Sequence, residues 1–243
     1  MQRASMNSFK FSIIVPVFHE GERINDLIEY VNRLDSDGNA EIIIVDGAPE
    51  KDTLRKIQSS HVIKVSSEQG RAKQMNAGAS IARGEILIFL HADTELPILA
   101  LRKIGSFIKR TEYVAGAFDL GIKSDKFILK VVSRISSLRS RWNRIPFGDQ
   151  AIFIRREYFN KIGGYKEIPL MEDVELLRRI KKYGDRISIL DDRVMTSPRR
   201  WEKEGVVYCT LRNWTLQALY LLGASPEKLA DFYKSDYRGR MET

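Results

Sequence analysis

The sequence predicts an α/β fold built on a mostly parallel sheet with helices on both faces. Three apolar segments rich in β-branched residues, at positions 11–18, 41–46 and 85–90, alternate with helical patterns. Strands that are apolar throughout are typical of parallel sheets covered on both sides. The chain has 243 residues, 43% of them hydrophobic and 30% charged, which suits one large folded domain and excludes a disordered or fibrous protein.

The first half of the sequence alternates strand and helix regularly. The segment FSIIVPVF predicts the first strand, and apolar residues at helical spacing then run from Ile24 to Leu34 and end before the turn-forming DSDG. The segments predicted next are a strand at 41–46, a short helix at 53–59, a strand at 61–65, a helix at 70–83 and a strand at 85–90.

The second half is less regular. The predicted segments are a strand at 113–122, an amphipathic helix at 123–142, a strand at 151–154, a helix at 172–183, a strand at 187–190, a helix at 206–222 and a last helix opening at Pro226. Because no repeat or linker is visible, we predict a disordered or extended N-terminus (1–10), one domain (11–203, with halves 11–100 and 101–203) and a C-terminal helical extension (204–243).

The formal net charge of +8 lies mainly in the middle of the chain. Residues 1–100 have a net charge of −3, whereas residues 101–150 have +7. A basic surplus is compatible with nucleic acid, a membrane surface or an anionic ligand, but the acidic first half and the lack of a recognition motif argue against nucleic acid. The single cysteine, Cys209, cannot form an intramolecular disulfide, and no apolar run reaches the roughly 18 residues of a membrane span. A cytoplasmic location is therefore expected.

Carboxylates follow three of the predicted strands. Glu20, Asp46 and Asp93 come after the first, second and fourth of them. Each alone is compatible with a simple helix cap. Because open parallel sheets bind ligands at the carboxyl ends of their strands, the three together predict a site for a polar ligand or a divalent cation.

The segment GRAKQMNAG predicts a helix that begins with glycine and two cations. The free N–H groups of such a helix start attract phosphate, and Arg71 and Lys73 add positive charge. The glycine spacing fits neither a Walker loop nor a dinucleotide fingerprint, and Gly70 alone is equally compatible with an ordinary helix start. Beside the carboxylates, the segment indicates a phosphate-bearing ligand.

Asp173 lies on the apolar side of the helix predicted at 172–183. It precedes Leu176 and Leu177 by three and four residues, a spacing that puts the three side chains on one face. One interpretation is an acidic first turn that complements the helix dipole. The other is an inward-facing carboxylate that serves as a general base.

The segment from Lys123 to Arg144 is basic and amphipathic, with seven cations and one acid. Its apolar stripe consists of Phe127, Val131, Ile135, Leu138 and Trp142. Either this stripe packs on the domain, or the helix lies on an anionic membrane surface or contacts a lipid-linked acceptor. The later helix has a similar face, expected to pack on the domain or on a second subunit, formed by Val207, Leu211, Trp214, Ala218 and Leu221.

Seven motifs in order resemble family 2 glycosyltransferases of the GT-A fold. They are PVFHE, IIIVDGAPEKDT, GRAKQMNAGA, IFLHADTELP, GDQAIFIRREYFNKIGGY, PLMEDVELLRRIKKYG and SPRRW, and the resemblance spans residues 11–233. The chain is most similar to a small bacterial subgroup, the radical-SAM/selenodomain-associated transferases. The resemblance implies a hexosyltransferase of the GT-A fold that moves a sugar from a nucleotide-diphosphate sugar, usually a uridine one, to an acceptor hydroxyl with inversion.

The resemblance also implies site residues. Those implied to bind the nucleotide sugar are Pro16, Val17, Glu20, Asp46, Gly70, Arg71, Lys73, Asn76, Ala92 and Asp93. Those implied on the acceptor and diphosphate side are Gly148, Asp149, Gln150, Arg200 and Trp201. Asp173 matches the catalytic base with Glu172 beside it, and Asp93, with His91, is implied to hold Mg²⁺ or Mn²⁺.

Three departures from the family pattern affect this expectation. His91 replaces the first acid of the Asp-X-Asp motif, Gly47 replaces a second acid after the second strand, and Met75 stands where many relatives have arginine. A non-catalytic sugar-nucleotide-binding protein therefore remains an alternative, with a nucleic-acid-binding protein as the remote one. The expected partners are a nucleotide sugar and an acceptor that is a lipid, metabolite or glycan, with a homodimer and a peripheral position at the inner face of a membrane as further expectations.

Overall fold

The computed structural model of the protein describes residues 10–108, 110 and 112–239. The predicted N-terminal segment therefore lies outside the described residues except for Lys10, as do positions 240–243 of the predicted extension. Within the described residues, one eight-stranded sheet is flanked by helices on both faces. The predicted α/β class with a mostly parallel sheet is confirmed.

The strands are β1 (Phe11–Val17), β2 (Ala40–Asp46), β3 (Ile63–Ser66), β4 (Ile86–Phe89), β5 (Thr94–Glu95), β6 (Tyr113–Ile122), β7 (Phe153–Arg155) and β8 (Arg186–Thr196). Their order in the sheet is β3-β2-β1-β4-β7-β6-β8-β5. The first four pair in parallel, as do β6 and β8, whereas β7 is antiparallel to both of its neighbours and β5 to β8. The regular first half of the sequence thus forms the parallel half of the sheet.

The helices are α1 (Ile24–Leu34), α2 (Asp52–Lys56), α3 (Arg71–Ile81), α4 (Ala100–Ile108), α5 (Phe127–Asn143), α6 (Arg156–Lys161), α7 (Glu172–Lys182), α8 (Arg199–Glu204), α9 (Val206–Leu221) and α10 (Pro226–Gly239). None of the helices within the described residues is long and apolar enough to cross a membrane.

Each central strand is buried on both faces. In β1, Ile13 and Val15 belong to the core beneath α1 and α4, whereas Ile14 belongs to the core beneath α3 and α7. On the second face α3 packs closely, because a Cβ built on Gly78 would lie 2.5 Å from Cγ2 of Ile14. Burial on both faces explains why the strand sequences are apolar without alternation.

Four elements, β5, α4, α6 and α8, are absent from the sequence prediction, and β8 is longer than predicted. The prediction ends β8 at Leu190 because three charged residues follow it. In the structure the strand continues past them through a bulge: Leu190 pairs with Phe118 and Arg193 with Asp119, so Asp191 and Asp192 have no paired residue in β6. The bulge accommodates the two extra charged residues within the strand.

The apolar stripe of α5 faces outward, so the interpretation in which it packs on the domain is wrong. Phe127 and Trp142 are 80% and 89% exposed, and the side that meets the domain is rich in serine. Ser137 Oγ accepts a hydrogen bond from the backbone N–H of Leu120 in β6 at 3.0 Å. On α9 the residues of the predicted face are likewise outside the core, with Val207 and Leu211 more than half exposed.

Candidate active site

A cavity of about 450 Å³ opens beyond the carboxyl end of β4. Eight of the residues singled out in the sequence line it: Arg71, His91, Asp93, Gly148, Asp149, Asp173, Arg200 and Trp201. They come from five separate stretches of the chain, namely the start of α3, the segment after β4, the turn before β7, the start of α7 and the start of α8. The fold therefore brings most of the predicted catalytic, metal and acceptor residues to one cavity.

Asp173 lies in the first turn of α7, where its carboxylate is held by backbone donors. The N–H of Gly148 donates to Oδ2 at 2.7 Å, and the N–H of Val174 donates to Oδ1 at 2.7 Å. The residue is 9% exposed, and each oxygen keeps a second lone pair. A carboxylate fixed in this way is available to accept a proton from a hydroxyl group in the cavity.

The position of Gly148 leaves too little room for a side chain. A Cβ at this position would lie 2.9 Å from Nε2 of His91 and 3.5 Å from Oδ2 of Asp173. The glycine therefore lets the backbone approach both side chains, so that its own N–H reaches the carboxylate of Asp173.

Glu172 faces Arg71 and is not among the residues that line the cavity. Oε1 of Glu172 lies 2.9 Å from Nε of Arg71, and the glutamate side chain is 4% exposed. Burial raises the pKa of Glu172 above its ordinary value, which the Arg71 guanidinium opposes, and Glu172 in turn raises the pKa of Arg71. The ion pair directs the guanidinium of Arg71 to the cavity wall, so Glu172 is a positioning group for a cation.

His91 is a neutral imidazole at neutral pH. Burial, together with the positive charges of Arg71 and Arg200, lowers its pKa to about 4, against the opposing effect of Asp93. A neutral imidazole nitrogen is a metal ligand, and the carboxylate of Asp93 lines the same cavity.

The donor chemistry fits a divalent cation held jointly by protein and ligand. Among the described residues there is no group of three or more His, Cys, Asp and Glu side chains placed to hold a metal by themselves. One carboxylate and one imidazole leave most coordination positions to phosphate oxygens and water, as is common for Mg²⁺ beside phosphates. A mixed nitrogen and oxygen ligand set also suits Mn²⁺.

Asp149 is a second titratable carboxyl group in the cavity. Burial raises its pKa to about 6, an effect that Arg200 opposes and Asp173 reinforces. Within the part of the chain that the structure describes, its Oδ1 is buried and has no hydrogen-bond partner. The unpartnered oxygen identifies Asp149 as a place where a ligand hydroxyl group or water can donate a hydrogen bond.

The carboxylates predicted after β1 and β2 lie away from this cavity. Asp46 is fully buried, and its Oδ1 and Oδ2 accept from the backbone N–H groups of Ala48 and Leu54 at 2.9 and 3.4 Å. Oε1 of Glu20 accepts from Nη2 of Arg199 at 3.2 Å, which links α8 to the first half of the chain. The side chain of Asp46 therefore stabilises the backbone that follows β2, in addition to any contact with a ligand.

The other predicted residues outside the cavity lining have local partners or turn positions. Lys73 pairs with Glu68. Gly70 immediately precedes α3 and has φ at +140°. Gln150 is fully buried, and its Nε2 donates to the carbonyl of Phe118 at 2.8 Å. The remaining three, Pro16, Val17 and Ala92, are at or near the ends of β1 and β4.

Asn76 connects the two halves of the domain. Its Nδ2 donates to the carbonyl of Tyr165 at 2.8 Å, and its Oδ1 accepts from the N–H of Tyr165 at 2.9 Å. Both polar ends of the side chain are therefore occupied by one peptide segment, which ties α3 to the turn that precedes α7.

Replacing Asn76 with alanine is expected to lower the free energy of unfolding by about 1–3 kcal/mol, because a backbone donor and acceptor lose their partners. Urea denaturation measures the change, and Asn76→Asp should destabilise at least as much, because its second oxygen would face the carbonyl oxygen of Tyr165 without a proton to donate. A variant of unchanged stability that has lost nucleotide binding would instead support the donor-binding role implied by the resemblance.

The sequence did not identify the outer wall of the cavity. Phe147, Leu170, Asn213, Leu216, Ala230 and Tyr233 also line it, the last four from α9 and α10. The guanidinium of Arg139 lies 3.9 Å from the ring centre of Phe147 and supports this wall from α5. The only sequence feature that could have indicated this wall is that Asn213 and Leu216 lie outside the predicted apolar face of α9.

Comparisons with known proteins identify the family of the chain. Residues 12–166 match the family model described as glycosyl transferase family 2. The PGL/p-HBAD biosynthesis glycosyltransferase of Mycobacterium bovis (strain BCG / Pasteur 1173P2) is 29% identical over 173 residues, a match that covers 64% of this chain and 62% of that relative. The chain thus matches less than two thirds of the relative's length.

Two solved structures share the fold. One is the mannosyltransferase PcManGT from Pyrobaculum calidifontis in complex with GDP-Man and Mn²⁺, with a TM-score of 0.60 and 18% identity over 76% of this chain and 56% of that chain. The other is S. aureus TarS 1-349 in complex with UDP, with a TM-score of 0.57 and 19% identity over 84% of this chain and 64% of that chain. With the family model covering more than half of the sequence, the chain belongs to glycosyl transferase family 2 and has its GT-A fold.

Proposed function

We propose that the protein transfers a hexosyl group from a nucleoside-diphosphate sugar, preferably a UDP-sugar, to an acceptor hydroxyl, with inversion at the anomeric carbon. The observation that supports this most is the convergence of Asp173, Asp93 and Arg200 on one cavity, since these residue types supply a base and charge compensation for a leaving diphosphate. Two structural neighbours of the same fold are described with GDP-Man and with UDP, so a nucleotide sugar is the expected donor class.

Asp173 acts as the general base in this proposal. The acceptor oxygen forms a bond to the anomeric carbon while the bond from that carbon to the diphosphate breaks. The hydroxyl proton passes to a free lone pair of the Asp173 carboxylate, and the diphosphate leaves with the electron pair of the broken bond. Attack from the side opposite the leaving group gives inversion.

Arg71 and Arg200 stabilise the negative charge on the departing diphosphate. Both guanidinium groups line the cavity, and Arg71 is held in place by its ion pair with Glu172. Fixed positive charge at the leaving group is among the larger contributions available to a transferase. Asp93 and His91 would hold a divalent cation, which when bound offsets further diphosphate charge.

The acceptor binds on the side of the cavity formed by α9 and α10. The apolar side chains of Leu216 and Ala230 and the ring of Tyr233 line the same cavity as Asp149. An acceptor with both apolar and hydroxyl-bearing parts matches this wall, and the unpartnered Oδ1 of Asp149 can accept a hydrogen bond from one of its hydroxyl groups.

Release of nucleoside diphosphate tests the proposal. We expect one sugar of a UDP-sugar panel to release UDP slowly by hydrolysis, and faster when an acceptor is added. Chelation by EDTA should reduce the release, and Mn²⁺ or Mg²⁺ should restore it. GDP-sugars form a second panel, because a guanine nucleotide is bound by one of the structural neighbours.

Two results would separate the alternatives. A donor that raises the melting temperature but is never cleaved, with any metal or acceptor class, would favour a non-catalytic sugar-nucleotide-binding protein. No stabilisation by any nucleotide sugar would contradict both functions.

A further inference from the structure

Helix α5 presents its apolar side to solvent and its serine-rich side to the domain. Among its large apolar side chains, Phe127, Leu138 and Trp142 are 80%, 61% and 89% exposed. The opposite side is fixed by hydrogen bonds, since Ser140 Oγ donates to Oε1 of Gln150 at 2.7 Å. The helix cannot rotate to bury its stripe without breaking these bonds, so the exposure is a stable property of the fold.

Helix α9 extends this apolar surface. Contacts of Lys126 with Glu202 and of Arg139 with Gln217 place α5 alongside the chain from α8 to α9, in the same direction. Leu221 lies four residues after Gln217, and therefore beside it on the surface of α9, and is 40% exposed.

On α5, Ile135 lies four residues before Arg139 and is 43% exposed, so apolar side chains border the line of contact from both helices. We call the exposed apolar side chains of the two helices the α5–α9 surface. Its largest members are Phe127, Ile128, Val131, Ile135, Leu138, Trp142, Val207, Leu211 and Leu221.

Cations border this surface on α5. Arg134 is exposed and lies four residues before Leu138, and Lys130 is one turn earlier. Lys130 and Lys126 have acidic partners, Asp125 and Glu202, but these pairs are largely exposed and therefore weak enough to be exchanged for lipid phosphate.

Two cations of α5 are already committed to the domain, because Arg141 binds both Asp119 and Asp191 and Arg139 binds Gln217. The bordering charge available to a partner thus comes from the other cations of this helix. An exposed apolar stripe with flanking lysine and arginine is the pattern of a helix that lies in the plane of an anionic bilayer.

We propose that the α5–α9 surface docks the protein on an anionic lipid bilayer, with both helices lying along the interface. A protein interface between two copies is less consistent with this surface, because lysine is depleted from such interfaces, whereas cations beside a bilayer each gain affinity from anionic lipid. The aromatic residues Phe127 and Trp142, at the two ends of α5, are suited to the depth of the headgroups.

Docking in this orientation determines how an acceptor reaches the cavity. One side of α9 belongs to the α5–α9 surface, and Asn213 and Leu216 on another side line the cavity. The cavity then lies about one helix diameter, roughly 10 Å, from the bilayer. This geometry assigns the acceptor to lipids whose hydroxyl-bearing headgroup projects from the membrane. That assignment rests on the proposed sugar transfer.

Flotation with lipid vesicles tests the docking without donor or acceptor, so failure of the proposed sugar transfer would leave its result intact. The full chain should float with vesicles that contain phosphatidylglycerol, float poorly with phosphatidylcholine alone, and dissociate as salt rises. Ile135→Glu should reduce the bound fraction at least about tenfold. The matched control is Ile81→Glu at the end of α3, on the other face of the sheet, because both isoleucines are 43% exposed.

Trp142→Glu is the second variant, and circular dichroism checks that each variant is folded. Equal loss of binding in Ile135→Glu and Ile81→Glu would overturn the proposal, as would the absence of flotation under all conditions. Light scattering provides the remaining arm: a dimer that Ile135→Glu dissociates, in a protein that does not bind vesicles, would assign the surface to a second copy instead. Arg134→Glu should weaken flotation only with the anionic vesicles.

Discussion

Replacing Asp173 with asparagine is expected to reduce sugar transfer by about 10²–10⁴-fold while the fold and donor binding are retained. The amide has nearly the shape of the carboxylate, and its oxygen can still accept the N–H of Gly148 or of Val174. It cannot take a proton from an acceptor hydroxyl. The loss should therefore appear in kcat, measured as nucleoside diphosphate release with saturating donor.

The control for this variant is Asp26→Asn. Asp26 is an exposed aspartate in the first turn of α1, so its replacement alters a helix dipole contact without touching the cavity. It should have wild-type activity. Full turnover in Asp173→Asn would show that Asp173 is only an acidic first-turn residue and would remove it from the mechanism.

The sequence was sufficient to predict the half of the fold and of the site that depends on local pattern. Continuous apolar strands predicted the parallel part of the sheet, and the motifs around Arg71, Asp93, Asp149 and Arg200 predicted residues that the structure brings to one cavity. The sheet is confirmed, and the site residues lie together because a strand end or a helix start fixes where the next few side chains point, whereas their roles stay predictions.

Partners distant in the sequence could not be predicted. Asn76 matches a donor-binding position by resemblance, yet its amide is occupied by the backbone of Tyr165, 89 residues away. The cavity wall from α9 and α10 has no motif, because an apolar wall is specified by shape.

The direction of α5 could not be predicted either. Periodicity identifies an apolar side but does not say whether that side meets the core or solvent. The serines indicate the direction, since Ser137 and Ser140 reach hydrogen-bond partners in the domain, the N–H of Leu120 and Oε1 of Gln150.

Replacing Asp149 with asparagine is expected to stabilise the protein above pH 6 while weakening its use of acceptor. Burial raises the pKa of Asp149 from its ordinary value of 3.8 to about 6. Between these two pH values the folded protein holds a proton that the unfolded chain has released. The contribution of this group to stability therefore falls as pH rises through that window, and the full cost is present above it.

The Asp149→Asn variant does not have this free-energy cost, because asparagine does not ionise. Its free energy of unfolding, from urea denaturation, should equal that of the wild type near pH 4 and exceed it by about 1–3 kcal/mol at pH 7 to 8. Asp26→Asn, at an exposed position, should show no such pH-dependent difference. A less stable Asp149→Asn at pH 7 would contradict the raised pKa.

Activity provides the second readout for Asp149→Asn. A carboxylate that lowers stability but faces a cavity, with one oxygen unpartnered, is expected where a ligand rather than the protein completes its hydrogen bonds. The variant should therefore bind donor normally and show a raised KM for acceptor, unlike the loss of kcat expected for Asp173→Asn. If the variant is more stable but its acceptor kinetics are unchanged, Asp149 is an unfavourable buried charge with no role in acceptor binding. The acceptor subsite would then have to be formed by the wall from α9 and α10 alone.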